Sequence, residues 1–115
     1  MISIEQEHDR KIATITLEEY GHKAGCAVYI YNDKIDEAYL SSLQVSPELQ
    51  LQGLGTKLLS LGEDYAAKNK AKSICLLVQT DSWMHLWYSR CGYTDLMLHK
   101  TRSKYMWMIK QIKET

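Results

Sequence analysis

The chain has no surplus of charge, because its 14 basic residues are matched by 14 acidic ones. A neutral chain lacks the broad positive field that gathers a nucleic-acid backbone, which argues against duplex binding as its main task. It contains no apolar run near the roughly 18 residues that a spanning helix needs, so no membrane segment is expected. Nor does a basic start lead into an apolar stretch, so a secretory leader is not expected either. Cys26, Cys75 and Cys91 are odd in number and far apart, a set that makes neither a disulfide framework nor a zinc site. Buried thiols in a reducing cytoplasm are the simpler reading. His8, His22, His85 and His99 fall in no repeated spacing, which favours surface or capping roles over metal ligation. Pro47 is the only proline, and there is no repeat, low-complexity tract or linker.

An ordinary globular balance is present: 45% hydrophobic and 24% charged residues in 115 positions. That fits one domain spanning residues 1–115 with a small but real core.

Local patterns give the elements. Ile2 to Glu7 alternates weakly, and Ile12 to Leu17 alternates with β-branched residues, so both predict strands. Ala27 to Tyr31 is a stronger strand, and Ala38 to Val45 another, stopped by Pro47. Leu54, Leu58, Leu61 and Tyr65 form one helical stripe that ends at the basic Lys68-Asn69-Lys70. Ile74 to Val78 reads as a central, parallel strand. Asp81 or Ser82 can cap a second helix over Trp83 to Cys91 that Gly92 ends, and Tyr105 to Ile112 is a last strand.

The junction between the fourth strand and the first helix carries chemistry. It reads Val45-Ser46-Pro47-Glu48-Leu49-Gln50-Leu51-Gln52-Gly53-Leu54-Gly55-Thr56. The first amides of a helix have no helical partner and sit at the positive end of its dipole, so they can hold a pyrophosphate without any lysine. Gly53 and Gly55 let the backbone come close to the anion, Leu54 can anchor the loop in the core, and Gln50 and Thr56 can add polar side chains. A dinucleotide fingerprint is excluded because Leu58 stands where its third glycine is needed, and a P-loop because Thr56, not glycine, precedes Lys57. A Gly-x-Gly pair by itself is most simply a flexible helix start.

The wider pattern decides what the pair means. Val45-x-Pro47-x-x-Gln50-x-x-Gly53-x-Gly55 resembles the signature of the GNAT superfamily of N-acetyltransferases. Trp83-Met84-His85-Leu86-Trp87-Tyr88-Ser89-Arg90-Cys91-Gly92-Tyr93 resembles its second motif, Tyr-x-Lys/Arg-x-Gly-aromatic. Met108-x-Lys110-x-Ile112 is similar to the ending of its last strand. The resemblance implies an α/β (α+β) fold, a mixed and mostly antiparallel splayed sheet with two main helices. It implies that acetyl-CoA enters the splay, with its pantetheine arm along Leu43, Gln44 and Val45. Its pyrophosphate would lie on Gln50, Leu51, Gln52, Gly53, Leu54, Gly55 and Thr56. Asp81 stands where relatives carry a pantetheine-contacting asparagine, and Tyr88 where they carry the acid that protonates the departing thiolate. By position alone Tyr88, Trp83 and Trp87 are helix packing residues.

Two departures from the family pattern bear on function. The strand Ala38-Tyr39-Leu40-Ser41-Ser42-Leu43-Gln44 holds no carboxylate to take the amine proton; Ser41 or Ser42 could only hold a relay water. The stretch at His8-Asp9-Arg10 leaves room for a turn where relatives place two helices over the acceptor site. An open cleft suits a protein lysine, a chain N-terminus or closure by a second subunit in a homodimer. The expectation is a cytoplasmic N-acetyltransferase moving acetyl from acetyl-CoA to a primary amine, without metal. The alternative is a CoA-binding or protein-interaction module with little turnover.

Overall fold

The computed structural model describes residues 2–7, 10–19, 21–32, 36–46 and 53–112. The alternating segments of the first half form four strands: β1 (Ile2–Glu7), β2 (Arg10–Glu19), β3 (His22–Asn32) and β4 (Glu37–Val45). Helix α1 (Leu54–Lys68) follows, then β5 (Ser73–Gln79), α2 (Trp83–Arg90), β6 (Thr94–Leu98) and β7 (Tyr105–Gln111). They build a seven-stranded sheet in the order β1-β2-β3-β4-β5-β7-β6. Every neighbouring pair is antiparallel except β4 and β5, which α1 joins as a crossover. The α+β class and splayed-sheet architecture expected from the sequence are those observed.

β1 and β2 pair directly, with Glu7 opposite Arg10, so no helix lies between them. Both helices pack on the same side of the sheet. The core there joins Ala13 and Ile15 of β2, Tyr29 of β3, Leu40 of β4, Leu76 of β5 and Met108 of β7 to Leu58 of α1 and Tyr88 of α2. Burying each of the large aliphatic side chains here, Ile15, Leu40, Leu58, Leu76 and Met108, contributes about 1.5–3 kcal/mol.

The buried stripe of α1 differs from the one the sequence suggests. It consists of Leu54, Leu58, Leu59, Gly62, Ala66 and Ala67, whereas Leu61 is 38% exposed. The helix is rotated toward Gly62 because the Tyr29 phenol occupies the space where a Cβ at that position would lie. A large side chain in the sheet thus selects a small one on the helix.

β6 has no counterpart in the sequence reading. All five of its residues are exposed, so no apolar–polar alternation betrays it. It is an edge strand of the sheet, with a bulge between Asp95 and Met97 where it pairs with β7.

Candidate active site

The parallel pairing of β4 with β5 covers only Glu37–Ser73, Ala38–Ile74 and Tyr39–Cys75. Beyond that register the strands take separate partners. Leu43 lies opposite Ala27 and Gln44 opposite Cys26 on β3, while Leu77 lies opposite Trp107 and Gln79 opposite Tyr105 on β7. The sheet therefore opens into a V between the last half of β4 and the last half of β5.

A bulge at Ser41 sets the shape of the β4 arm. Leu40 pairs with Tyr29 and Ser42 with Val28, so Ser41 is an extra residue without a partner on β3. The inward set changes parity there: Ala38 and Leu40 are buried before the bulge, and Leu43 and Val45 pack on the core after it. An unbulged strand would have turned Ser42 and Gln44 inward.

At the mouth of the V stands the start of α1. Its N-cap, Gly53, has φ +79°, a left-handed conformation that glycine adopts at least cost. Among the described residues no side chain caps this end, and no acidic residue lies in the first turn. The Leu54 side chain is buried and anchors the turn. Gly55 differs from Gly53. Its φ is not left-handed, and the nearest atoms of the described residues that an added Cβ would meet are Trp87 Cζ2 at 3.4 Å, Trp87 Cη2 at 3.7 Å and Val45 Cγ2 at 3.9 Å, ordinary contacts. Nothing among the described residues requires glycine at position 55, whereas an anion lying close against the backbone would.

α2 begins at Ser82, whose Oγ accepts the N–H of His85 at 3.1 Å. His85 Nδ1 accepts the N–H of Asp81 at 3.0 Å, so Nε2 carries the proton toward Asp95 Oδ1, 2.7 Å away. The imidazole is a strut between the start of α2 and β6, the capping role its position suggested. Asp81 has φ +61°, which Asp tolerates better than most residues, so its backbone alone accounts for its type. With Ser82, His85, Leu86, Ser89 and Asp95 it lines an open depression of about 460 Å³ between α2 and β6.

Trp87 and Tyr88 sit one turn further along. Tyr88 is buried, with its ring edge-on to Trp87 at 5.0 Å and to Tyr93 at 5.6 Å. Burial, and then the neighbouring Cys91, push its pKa up to about 12. It is therefore a neutral phenol at any physiological pH and a weaker acid than the free side chain. The Cys91 thiol is raised too, by burial and then by Glu63, although Lys110 opposes the shift. A thiol held protonated in this way is a poor nucleophile.

One group that sequence reading passed over ties these parts together. Glu63 of α1 accepts from the Tyr93 hydroxyl at 2.9 Å and from Lys110 Nζ at 3.0 Å, and Lys110 also donates to the Cys91 carbonyl at 3.0 Å. The network links α1, the end of α2 and β7. Glu63 lies just off the apolar stripe of α1, and only that border position could have signalled it.

The carboxylate nearest the V on β4 is already engaged. Glu37 accepts from Ser73 Oγ at 3.3 Å and from Cys75 Sγ at 3.2 Å, at the closed end of the V. The Cys75 thiol is correspondingly pushed up to about 12, by burial first and then by its bond to Glu37. Of the phosphate-loop residues named from the sequence, Gln50, Leu51 and Gln52 lie outside the described residues. Leu43, Gln44, Val45, Gly53, Leu54, Gly55 and Thr56 all come to the β4 arm or the α1 start, whereas Asp81 lines the α2–β6 depression. Among the described residues no cluster of side chains suits a metal ion.

The model of the acetyltransferase (GNAT) domain matches residues 8–95 of this chain. The chain belongs to the GNAT acetyltransferase family. Solved structures share the GNAT fold. The ribosomal-protein-S18-alanine N-acetyltransferase from Escherichia coli superposes with a TM-score of 0.73 at 22% identity, over 96% of this chain and 74% of that one. An acetyltransferase from Bacillus cereus gives 0.76 at 16% identity, over 90% and 74%. The PaiA N-acetyltransferase from Thermoplasma acidophilum, solved in complex with coenzyme A, gives 0.74 at 17% identity, over 90% and 61%. No curated protein matches the sequence. As a GNAT domain the chain is of the acyltransferase class, and the V between β4 and β5 is its candidate active site.

Proposed function

We propose that this domain transfers acetyl from acetyl-CoA to a primary amine, on a protein or a small molecule, by direct attack. The observation that carries the reading is the divergence of β4 from β5 beyond Tyr39–Cys75, with the glycine-led start of α1 at its mouth. Gly55 adds support, since the fold leaves room for a Cβ there that the sequence does not use. The amides of Leu54 to Thr56 would hold pyrophosphate, with Gln50, Leu51 and Gln52 extending that cradle. Leu43 to Val45 would align the pantetheine arm by strand-like backbone pairing, and Asp81 would border the arm from the end of β5.

Acetyl-CoA supplies a thioester carbonyl carbon to the amine lone pair. The N–C bond forms, the C–S bond breaks, the ammonium proton leaves to solvent, and Tyr88 gives its hydroxyl proton to the departing sulfur. No β4 carboxylate is placed to take the amine proton, because Glu37 is held by Ser73 and Cys75. Thiol release from acetyl-CoA over a panel of amines tests the reading, and turnover that depends on the amine is the expected result.

That engaged Glu37 also favours a second reading, a CoA-binding module with little turnover. Tight CoA binding without thiol release for any amine would support it. We place the domain in the cytoplasm, where acetyl-CoA and reduced thiols coexist.

A further inference from the structure

The helices occupy one face of the sheet, and among the described residues no helix covers the other face. The start of α1 lies on the helix side, so a cofactor held there leaves the opposite side of the thioester for the amine. Strand parity defines what lines that side. Met106 and Met108 of β7 face the core, so Tyr105, Trp107 and Ile109 face away from it. Tyr39, between the buried Ala38 and Leu40, faces the same way. The rings meet: Tyr39 lies 5.8 Å from Trp107, and His99 stacks on Trp107 at 6.0 Å. Tyr39 is the last β4 residue paired with β5, and Trp107 lies opposite Leu77, the first outward β5 residue beyond the split. The aromatic group thus stands where the V opens.

A basic turn borders it. Residues 99–104 read His-Lys-Thr-Arg-Ser-Lys, with no acidic side chain. The turn is built firmly: His99 Nδ1 accepts the N–H groups of Thr101 and Arg102 at 3.2 and 3.0 Å, and the Lys104 carbonyl accepts the N–H of Thr80 at 2.7 Å. That last bond pins the turn to the end of β5, on the V. The Arg102 guanidinium lies 4.1 Å from the centre of the Tyr105 ring, which stands opposite Gln79. The carboxylate of Glu37, near Tyr39 on the same face, is occupied by Ser73 and Cys75. A polycation would therefore meet positive charge and rings here, with no carboxylate among the described residues placed to hold it.

We infer that the helix-free face around Tyr39, Trp107 and Arg102 is the acceptor site, and that it takes a compact amine borne on an aromatic or apolar body that also carries a carboxylate. This rests on the acetyl-transfer reading above. The rings bury the body of the acceptor, and Arg102 fixes the carboxylate as a planar two-pronged donor. Together they point the amine at the β4 arm of the V.

The test is kinetic, with acetyl-CoA, L-phenylalanine, its decarboxylated counterpart phenethylamine, a lysine peptide and spermidine. The inference predicts that kcat/KM for phenylalanine exceeds that for phenethylamine by at least about tenfold, and that Arg102→Ala removes this gap. Trp107→Ala raises KM for both by about tenfold and leaves KM for acetyl-CoA unchanged. Preference for spermidine or the lysine peptide overturns the inference, as does an Arg102→Ala effect confined to acetyl-CoA. Calorimetric titration of N-acetylphenylalanine into the CoA-loaded domain separates the two levels of the argument. Binding that Trp107→Ala and Arg102→Ala weaken, without turnover of any amine, keeps the site and removes the transfer reading. Turnover of amines with no binding of this product keeps the transfer reading and removes the site.

Discussion

The indole of Trp87 lies against Gly55, so close that a methyl group there would sit 3.4 Å from Cζ2. One residue on α2 and one on α1 thus meet at the mouth of the V. The contact is loose enough to admit an alanine, and alanine suits a helix better than glycine by up to about 1 kcal/mol. Gly55→Ala should therefore leave stability equal or slightly higher while weakening CoA binding by roughly tenfold or more, because the added methyl group keeps the anion from the amides. Thermal denaturation and calorimetry on the same variant check both halves. A variant that loses stability and affinity together would assign the glycine to the fold.

Tyr88→Phe keeps the ring contacts with Trp87 and Tyr93 and removes only the hydroxyl. If that hydroxyl protonates sulfur, kcat should fall by about 100-fold with KM for acetyl-CoA nearly unchanged. The active form is the neutral phenol. Because burial pushes the Tyr88 pKa up to about 12, the alkaline limb of kcat should lie well above the ordinary phenol value of 10.0. Stopped assays from pH 7 to 11 show this; a limb at pH 9 would point to a different acid.

Several parts of the site were legible in the residues, each for a local reason. The strand–glycine–helix junction has a repeated backbone purpose, so Val45, Pro47, Gly53 and Gly55 stand at fixed spacing. Tyr88 and Gly92 likewise flank one helix end. β6 was not legible because an edge strand with every residue exposed has no inside to pattern against. Nor was the exposure of Leu61, since the rotation of α1 is set by Tyr29, 33 positions earlier in the chain, lying where a Cβ of Gly62 would be. The pairing of Glu63 with Lys110 spans 47 positions, and charge patterning along one element cannot see it.

That pairing has its own consequence. Glu63→Ala leaves the Tyr93 hydroxyl without its acceptor and the Lys110 ammonium without its counter-charge, held only by the Cys91 carbonyl. The loss should be about 2–4 kcal/mol. The double variant Glu63→Ala/Lys110→Met should be less destabilised than the sum of the single changes, because the second removes the orphaned charge. Chemical denaturation of all three variants provides the cycle; strict additivity would remove the network.

Alkaline unfolding should be cooperative and late. Tyr29, Tyr31, Tyr88 and Tyr93 are all raised above 10.0, each by burial first. For a group raised on folding, the contribution is fully present below the unfolded pKa and lost as pH climbs through the folded one. Stability should hold to about pH 10, then fall steeply; Tyr88 alone, shifted from 10.0 to about 12, accounts for about 3 kcal/mol of that fall. A pH series of denaturation midpoints checks it, and a decline beginning near pH 8 would contradict the burial of these phenols.

The central claim is that coenzyme A occupies the V between β4 and β5 with its phosphates on the start of α1. Amide NMR during titration with CoA tests it most directly. The account predicts saturable shifts at Leu43 to Val45 and at Gly53 to Thr56. Shifts confined to the depression between α2 and β6, at Ser82, His85 and Asp95, or no shifts at all, would contradict it.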